Sequence, residues 1–274
     1  MKVLTVYANH NPRSFCHAVL EHFCAGLREA GHANEVIDLH AIGFDPVFRA
    51  ADGPNWIDDS VPDDVLAYMN VEKVLRARAR GPIGRFLLER WIGALDARGI
   101  LRKLHQRGGP RDVAAQQAKV ANAEALVFIS PVYFVGFPAI LKGWFDRVFT
   151  LGFAFGMKPE AWRGDLGGRL PLLRHSKALI INTTIWDERA YDAGLRAAMK
   201  TLIDDYTLSY PGIASVEHVY FYAVHGADDA TRRGYLEKAH ALGRNFGASK
   251  APNEPAELSA SGGGGEPRNR VGQR

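Results

Sequence analysis

ALVFISPVYFVGFPAILKGWFDRVF, residues Ala125 to Phe149, is where the architecture of this chain reads most directly. Ala125–Ser130 is a continuous apolar run rich in branched and aromatic side chains, the pattern of a strand buried on both faces. It stops abruptly at Pro131-Val132-Tyr133-Phe134-Val135-Gly136-Phe137-Pro138, an aromatic loop holding two prolines and a glycine. Pro138–Phe149 then reads as a helix. Strand, loop and helix in that order open a βαβ unit of a parallel sheet.

Four other segments share the strand's character: Val3–Ala8, Glu35–Leu39, Ala178–Thr183 and Val216–Ala223. Each predicts a buried parallel strand. Helical patterns lie between and after them, at Ser14–Ala30, Glu188–Tyr206 and Asp229–Phe246. The first places Phe15, Ala18, Val19, Phe23 and Leu27 on one face and is stopped by Gly31, as a glycine past a helix end should do. The expectation is an α/β fold, a doubly wound five-stranded parallel sheet in the flavodoxin-like order 2-1-3-4-5. Residues 1–250 form one domain on this reading. The remainder, 251–274, is Pro, Gly, Ser and charge, too polar to pack, and is expected to be a disordered tail.

A long stretch, about 45–110, separates strands 2 and 3 and reads as a helical insertion. Within it Val65–Arg80 and Ile83–Leu95 are predicted helices. Leu87, Leu88, Trp91, Ile92 and Leu95 form an apolar stripe on the second. Arg76 to Arg111 holds ten Lys/Arg against Glu89 and Asp96, while the whole chain carries only +4. The basicity therefore belongs to one segment and does not make a nucleic-acid binder. Basic amphipathic helices bind anionic membranes or partner proteins. The simpler expectation packs the stripe on the body or a second subunit and leaves the arginines solvated. A third places Arg85, Arg90 and Arg98 in a lid facing a carboxylate or phosphate.

Cys16 and Cys24 lie eight apart on one predicted helix, about two turns, too far to bridge. There is no Cys/His cluster of zinc or iron–sulfur type, and no metal is expected. The opening MKVLTVYANHN is too short to span a membrane, and a reducing, cytoplasmic setting is inferred.

In such a sheet, ligands bind beyond the carboxyl ends of the strands, at the switch in strand order. The first loop runs Asn9-His10-Asn11-Pro12-Arg13, with Ser14 as helix cap. A helix start there favours an anion, and Arg13 adds charge. The third loop suits the edge of a flat aromatic ring, with Tyr133 and Phe134 to pack on its face. The fourth, Thr183-Thr184-Ile185-Trp186-Asp187, offers two hydroxyls and an indole.

Pro131–Phe149 closely resembles the signature of the NAD(P)H:quinone oxidoreductases, the DT-diaphorase-like flavoproteins. Gly152–Phe155 continues it, and Tyr7–Phe15 and Asp112–Gln117 resemble the family's first loop and the helix before its third strand. The resemblance implies non-covalent FAD, with FMN in related branches, and NAD(P)H as co-substrate. It implies ping-pong hydride transfer to a quinone or other small aromatic acceptor, and a homodimer with the site at the interface. Some relatives instead control a membrane transporter.

Carried over, His10, Arg13, Ser14, Phe15 and Cys16 would hold the phosphates or ribityl chain. Pro131, Val132, Tyr133, Phe134, Gly136, Thr183, Thr184, Ile185 and Trp186 would surround the isoalloxazine. Tyr191 matches a catalytic tyrosine, but the histidine expected after it is absent from Asp192–Thr201. Phe155 and Met157 stand where the family has acceptor-lining tyrosines, beside Trp186 as substrate contacts. Asn9 replaces the usual histidine, Cys16 an asparagine, and Ile185-Trp186 a Gly-Gly pair. The acceptor pocket is thereby less polar and narrower, which fits a specialised biosynthetic or catabolic reductase acting on something other than a quinone.

Overall fold

A computed structural model describes residues 1–106 and 109–247; the expected tail lies outside the described residues. The chain opens with β1 (Lys2–Tyr7), α1 (Phe15–Glu29) and β2 (Ala33–Asp38). The insertion follows as α2 (Asp63–Met69), α3 (Val71–Arg78), α4 (Gly81–Ile92) and α5 (Ala97–Gln106). Next come α6 (Arg111–Asn122), β3 (Ala125–Pro131), α7 (Ala139–Val148), and the antiparallel pair β4 (Phe155–Met157) and β5 (Arg169–Pro171). After β6 (Lys177–Thr183), a helical stretch contains α8 (Glu188–Ala190), α9 (Arg196–Met199) and two π-type segments, Tyr191–Leu195 and Lys200–Ser209. β7 (Val216–Phe221) and α10 (Asp229–Arg244) complete it.

The main sheet is parallel throughout, in the order β2-β1-β3-β6-β7. With the small β4–β5 hairpin set aside, this is the expected 2-1-3-4-5. Every residue of β3 is buried, as its unbroken apolar sequence requires. Alternate side chains feed two cores. Val3, Tyr7, Val127, Ile129 and Phe221 pack against α1 and α10; Leu4, Val6, Phe128 and Ile180 pack against α7 and the helical stretch after β6. Helices α1 and α10 touch through glycines. A Cβ on Gly26 would lie 2.1 Å from the His240 carbonyl oxygen, and one on Gly243 2.2 Å from that of Phe23.

Three expectations need correction. β2 is an edge strand with only Ile37 buried, not a buried strand; nothing pairs with its outer side among the described residues. The single helix expected at Val65–Arg80 is two, broken at Asn70, whose left-handed φ of 49° turns the chain. The stripe of Ile83–Leu95 does not pack on the body as a unit: Ile92 is buried, but Leu87 and Leu95 are exposed.

The insertion is tied to the body by Arg147 of α7. This buried guanidinium reaches Asp52 (3.1 Å), the Asp45 carbonyl (2.7 Å) and Asp112 (2.6 Å). Gly143 lets the Pro46 backbone press against α7, with no room for a Cβ. At the far end Arg98 bonds the Asp59 and Val61 carbonyls and Asp63. It is a structural tie between α5 and α2, not a lid residue facing a ligand.

Candidate functional site

The parallel register brings three strand ends to one level: Tyr7 pairs Ile129, Pro131 pairs Thr183, and Thr183 pairs Phe221. The loops that follow these ends converge there. After β1, Asn9 accepts from the Asn11 amide and Asn11 from the Arg13 amide, both at 2.9 Å, which leads the chain to Ser14. Ser14 caps α1 by accepting from the His17 amide. No acid lies in the first turn of α1. Among the described residues, the Phe15 and Cys16 amides have no partner, and buried Nδ1 of His17 has none either. The two orphaned amides and the helix dipole fit an anionic group such as a phosphate. His10 and Arg13 are exposed beside them, His10 edge-on to His40.

After β3, Tyr133 and Gly136 exchange two backbone hydrogen bonds across a tight turn. The residues between them, Phe134 and Val135, have φ of 43° and 59°. Two left-handed non-glycine residues in succession, one β-branched, store strain at the edge of a site. The turn holds Phe134 fully in solvent, with Tyr133 half-exposed. The Val132 amide donates to the Thr183 carbonyl, locking this loop to the next.

After β6, Thr184 is buried; its hydroxyl donates to the Trp186 carbonyl at 2.7 Å, while Ile185 and Trp186 stand exposed. An aromatic rim of Tyr133, Phe134 and Trp186 therefore flanks the sheet's carboxyl edge, on the side where Cys16 of α1 meets Thr183. The arrangement can receive a flat ring at one end and an anion at the other. Cys16 lies beneath it, buried. Burial pushes its thiol up to about 12, against hydrogen bonds with Thr183 and Asn9, so it is an inert packing group there.

Tyr191 is buried, hydrogen-bonded through Thr184, and raised by that burial. It meets Tyr220 and Tyr222 at ring separations of 4.9 and 5.1 Å. His218 and Tyr220 of β7 and Tyr222 just past its end alternate and so stack on one face, His218 on Tyr220 at 4.2 Å. A histidine, His218, thus stands one ring removed from Tyr191, with Tyr220 between them.

His218 belongs to a polar chain that sequence reading missed. Asn182 donates its amide to the Ser130 carbonyl (3.0 Å) and offers its oxygen to His218 Nε2 (2.8 Å); Nδ1 faces Asp204 (2.8 Å) and the Tyr220 hydroxyl (3.1 Å). A carbonyl only accepts, so Ser130 fixes the Asn182 amide and thereby makes Nε2 a donor. Ser130 and Asn182 immediately precede Pro131 and Thr183, so this chain braces both ring-facing loops from below. The legible signal was polar residues inside otherwise apolar strands.

Phe155 and Met157 are not brought to these loops. β4 pairs with β5, which leads into the start of β6, whereas Thr183 ends it, about 20 Å along at strand rise. Phe155 packs against Trp56 and Tyr210, beside a recess of about 220 Å³ that Phe145, Phe149 and Tyr206 also line. The apolar face of α7, with Trp144 and Val148, turns into the chain's own core; Lys142 and Asp146, an ion pair, face out.

Among the described residues no group of acids, histidines and cysteines is placed to hold a metal ion, and no helix is long and apolar enough to cross a membrane. Among known proteins, this chain is similar to the ribosyldihydronicotinamide dehydrogenase-like protein traD of Penicillium crustosum, 26% identical over 82% of this chain and 74% of that one. It is 30% identical to the ribosyldihydronicotinamide dehydrogenase [quinone] of Pongo abelii, over 63% of this chain and 61% of that protein. A solved NAD(P)H:quinone oxidoreductase from Methanothermobacter marburgensis superposes with a TM-score of 0.62 at 25% identity, covering 92% of this chain and 99% of that one. Residues 1–242 match the model of the family described as having the flavodoxin-like fold. The chain belongs to that family, among its NAD(P)H:quinone oxidoreductase-like enzymes.

Proposed function

We propose that this protein is a flavin-dependent NAD(P)H oxidoreductase that reduces a small aromatic acceptor, a quinone or another electrophilic ring, by two electrons. The observation that carries this reading is the pairing, on one sheet edge, of unpartnered α1 amides with the aromatic rim Tyr133, Phe134 and Trp186. A non-covalent flavin, FAD or FMN, supplies hydride transfer from the nicotinamide and onward to the acceptor. The Phe15 and Cys16 amides, with Ser14, Arg13 and His10, hold its phosphate end. Backbone groups from Pro131 to Gly136 and the Thr183–Thr184 corner hold the ring edge. Phe134 and Trp186 would frame the open face of the bound ring, which donor and acceptor would use in turn, as a ping-pong scheme requires. Tyr191 positions Thr184 from below and does not itself reach the face.

The separation of Phe155 and Met157 from this edge favours a homodimer in which each copy lends these residues to the acceptor pocket of the other. Their lack of hydroxyls, with Ile185 and Trp186 exposed at the edge, favours an acceptor less polar than a simple quinone. The two free cysteines fit a reducing, cytoplasmic setting. Anaerobic titration with NADH and NADPH, followed by addition of a quinone, an azo dye and a nitroarene, tests the reading. Bleaching of the bound chromophore by a nicotinamide and its return with an acceptor are expected. No bleaching with either nicotinamide overturns it.

A further inference from the structure

The insertion presents a surface that the proposed reduction does not use. Helix α4 carries Ile83, Phe86, Leu87 and Arg90 at i, i+3, i+4 and i+7, one face of a helix. That face points away from the protein: Ile83 is 75% exposed, Phe86 67% and Leu87 58%. Leu88 and Ile92, on the other side, turn inward. Three large apolar side chains together in water are costly on a monomer surface and mark an interaction site.

The charge around this face has one sign. Arg80, Arg85 and Arg90 are exposed and, among the described residues, form no ion pair. The one acid of α4, Glu89, is taken by Arg76 at 2.9 Å. Arg90 also borders an open groove of about 540 Å³ whose other cations are Arg102 and Lys103, with Trp91 and Leu95 between. Apolar side chains on a convex helix, rimmed by unpaired arginines, complement a fluid anionic surface. A second copy docked here by two-fold symmetry would set arginines against arginines. An acidic protein would set its carboxylates against Ile83, Phe86 and Leu87 and leave these exposed apolar side chains without apolar partners.

We infer that α4 is a peripheral membrane anchor: Ile83, Phe86 and Leu87 enter the headgroup region of an anionic bilayer while Arg80, Arg85 and Arg90 bind lipid phosphates. Binding is reversible and weakened by salt, since a single short helix is a modest anchor.

The full chain should co-sediment with vesicles of phosphatidylcholine and phosphatidylserine and not with phosphatidylcholine alone, and salt at several times physiological strength should release it. Each arginine near an anionic surface contributes roughly fivefold in partitioning. Combined Arg80→Gln, Arg85→Gln and Arg90→Gln should therefore lower binding by about 100-fold. Phe86→Ser with Leu87→Ser should lower binding even in low salt. Both variants alter exposed residues, so unchanged thermal unfolding separates loss of binding from loss of fold. Equal binding of variants and parent overturns the proposal, as does no binding to anionic vesicles. A shift from dimer to monomer in the Phe86/Leu87 variant without vesicle binding by the parent would assign the face to a second copy. Retention on immobilised polyglutamate, again without vesicle binding, would assign it to an acidic protein.

Discussion

Arg147 is the residue on which most of the surrounding structure depends. It is buried, and its partners Asp52 and Asp112 belong to the insertion and to α6. Asp52 has no exposure at all, so Arg147→Ala leaves a carboxylate buried without its cation. Unfolding by urea should show a loss of about 3–5 kcal/mol. Burial raises Asp112, but its hydrogen bond to Arg147 and that group's charge outweigh this and hold the carboxyl below its ordinary value. A lowered folded value contributes stability above the ordinary carboxylate range, and that contribution vanishes as pH falls through the folded value. The acid limb of the wild-type stability curve should therefore be steeper than that of Asp112→Asn, measured from about pH 5 downwards. At the same scale, Asn182→Ala removes the brace between Ser130 and His218 and should cost roughly 1–3 kcal/mol. If the brace positions the ring-facing loops, this variant should also bind its cofactor more weakly, which fluorescence titration would reveal.

The turn Tyr133–Gly136 is the element whose geometry departs most from what its sequence prefers. Val135 at a φ of 59° is strained, and glycine would relieve it. Val135→Gly should raise thermal stability by the order of 1 kcal/mol while loosening the turn. Phe134→Ala should leave stability within about 0.5 kcal/mol, because the ring touches only solvent. It should nevertheless weaken cofactor or substrate binding, and equal binding by the two proteins would remove Phe134 from the site. The elements also show where sequence is readable. β1, β3 and β6 were legible because strands covered on both faces are written as near-continuous apolar runs. β2 misled because Val36 and Ile37 look buried, yet an edge strand exposes one of them. The break at Asn70 was hidden because asparagine tolerates helix and left-handed turn alike. Asn182 and His218 meet through the β6–β7 register, and Asp204 reaches His218 from the helical segment between those strands, a meeting no local pattern encodes.

At the scale of the whole molecule, the sheet order and the converging loops were legible, while the path of the insertion was not. Two layers of helices hold the sheet, and the outer one depends on the contact of α1 with α10. Gly26→Ala would drive a methyl into the His240 carbonyl, a clash that only backbone movement can relieve. A loss of about 3 kcal/mol, at the upper end for overpacking, is expected by thermal or urea unfolding. The fold places Phe155 and Met157 away from the proposed ring-binding edge of their own chain; if a second copy completes the acceptor pocket, as proposed, specific activity should fall on dilution.

On the proposed reading, the carboxyl edge of this sheet holds a flavin. The most direct measurement is the absorption spectrum of the purified full chain, reconstituted with FAD and with FMN, with the mass of the cofactor released on denaturation. Bands near the flavin's own visible maxima, one flavin released per chain, and a loss of retention in Phe134→Ala are expected. A colourless protein that retains neither flavin after desalting would contradict that reading.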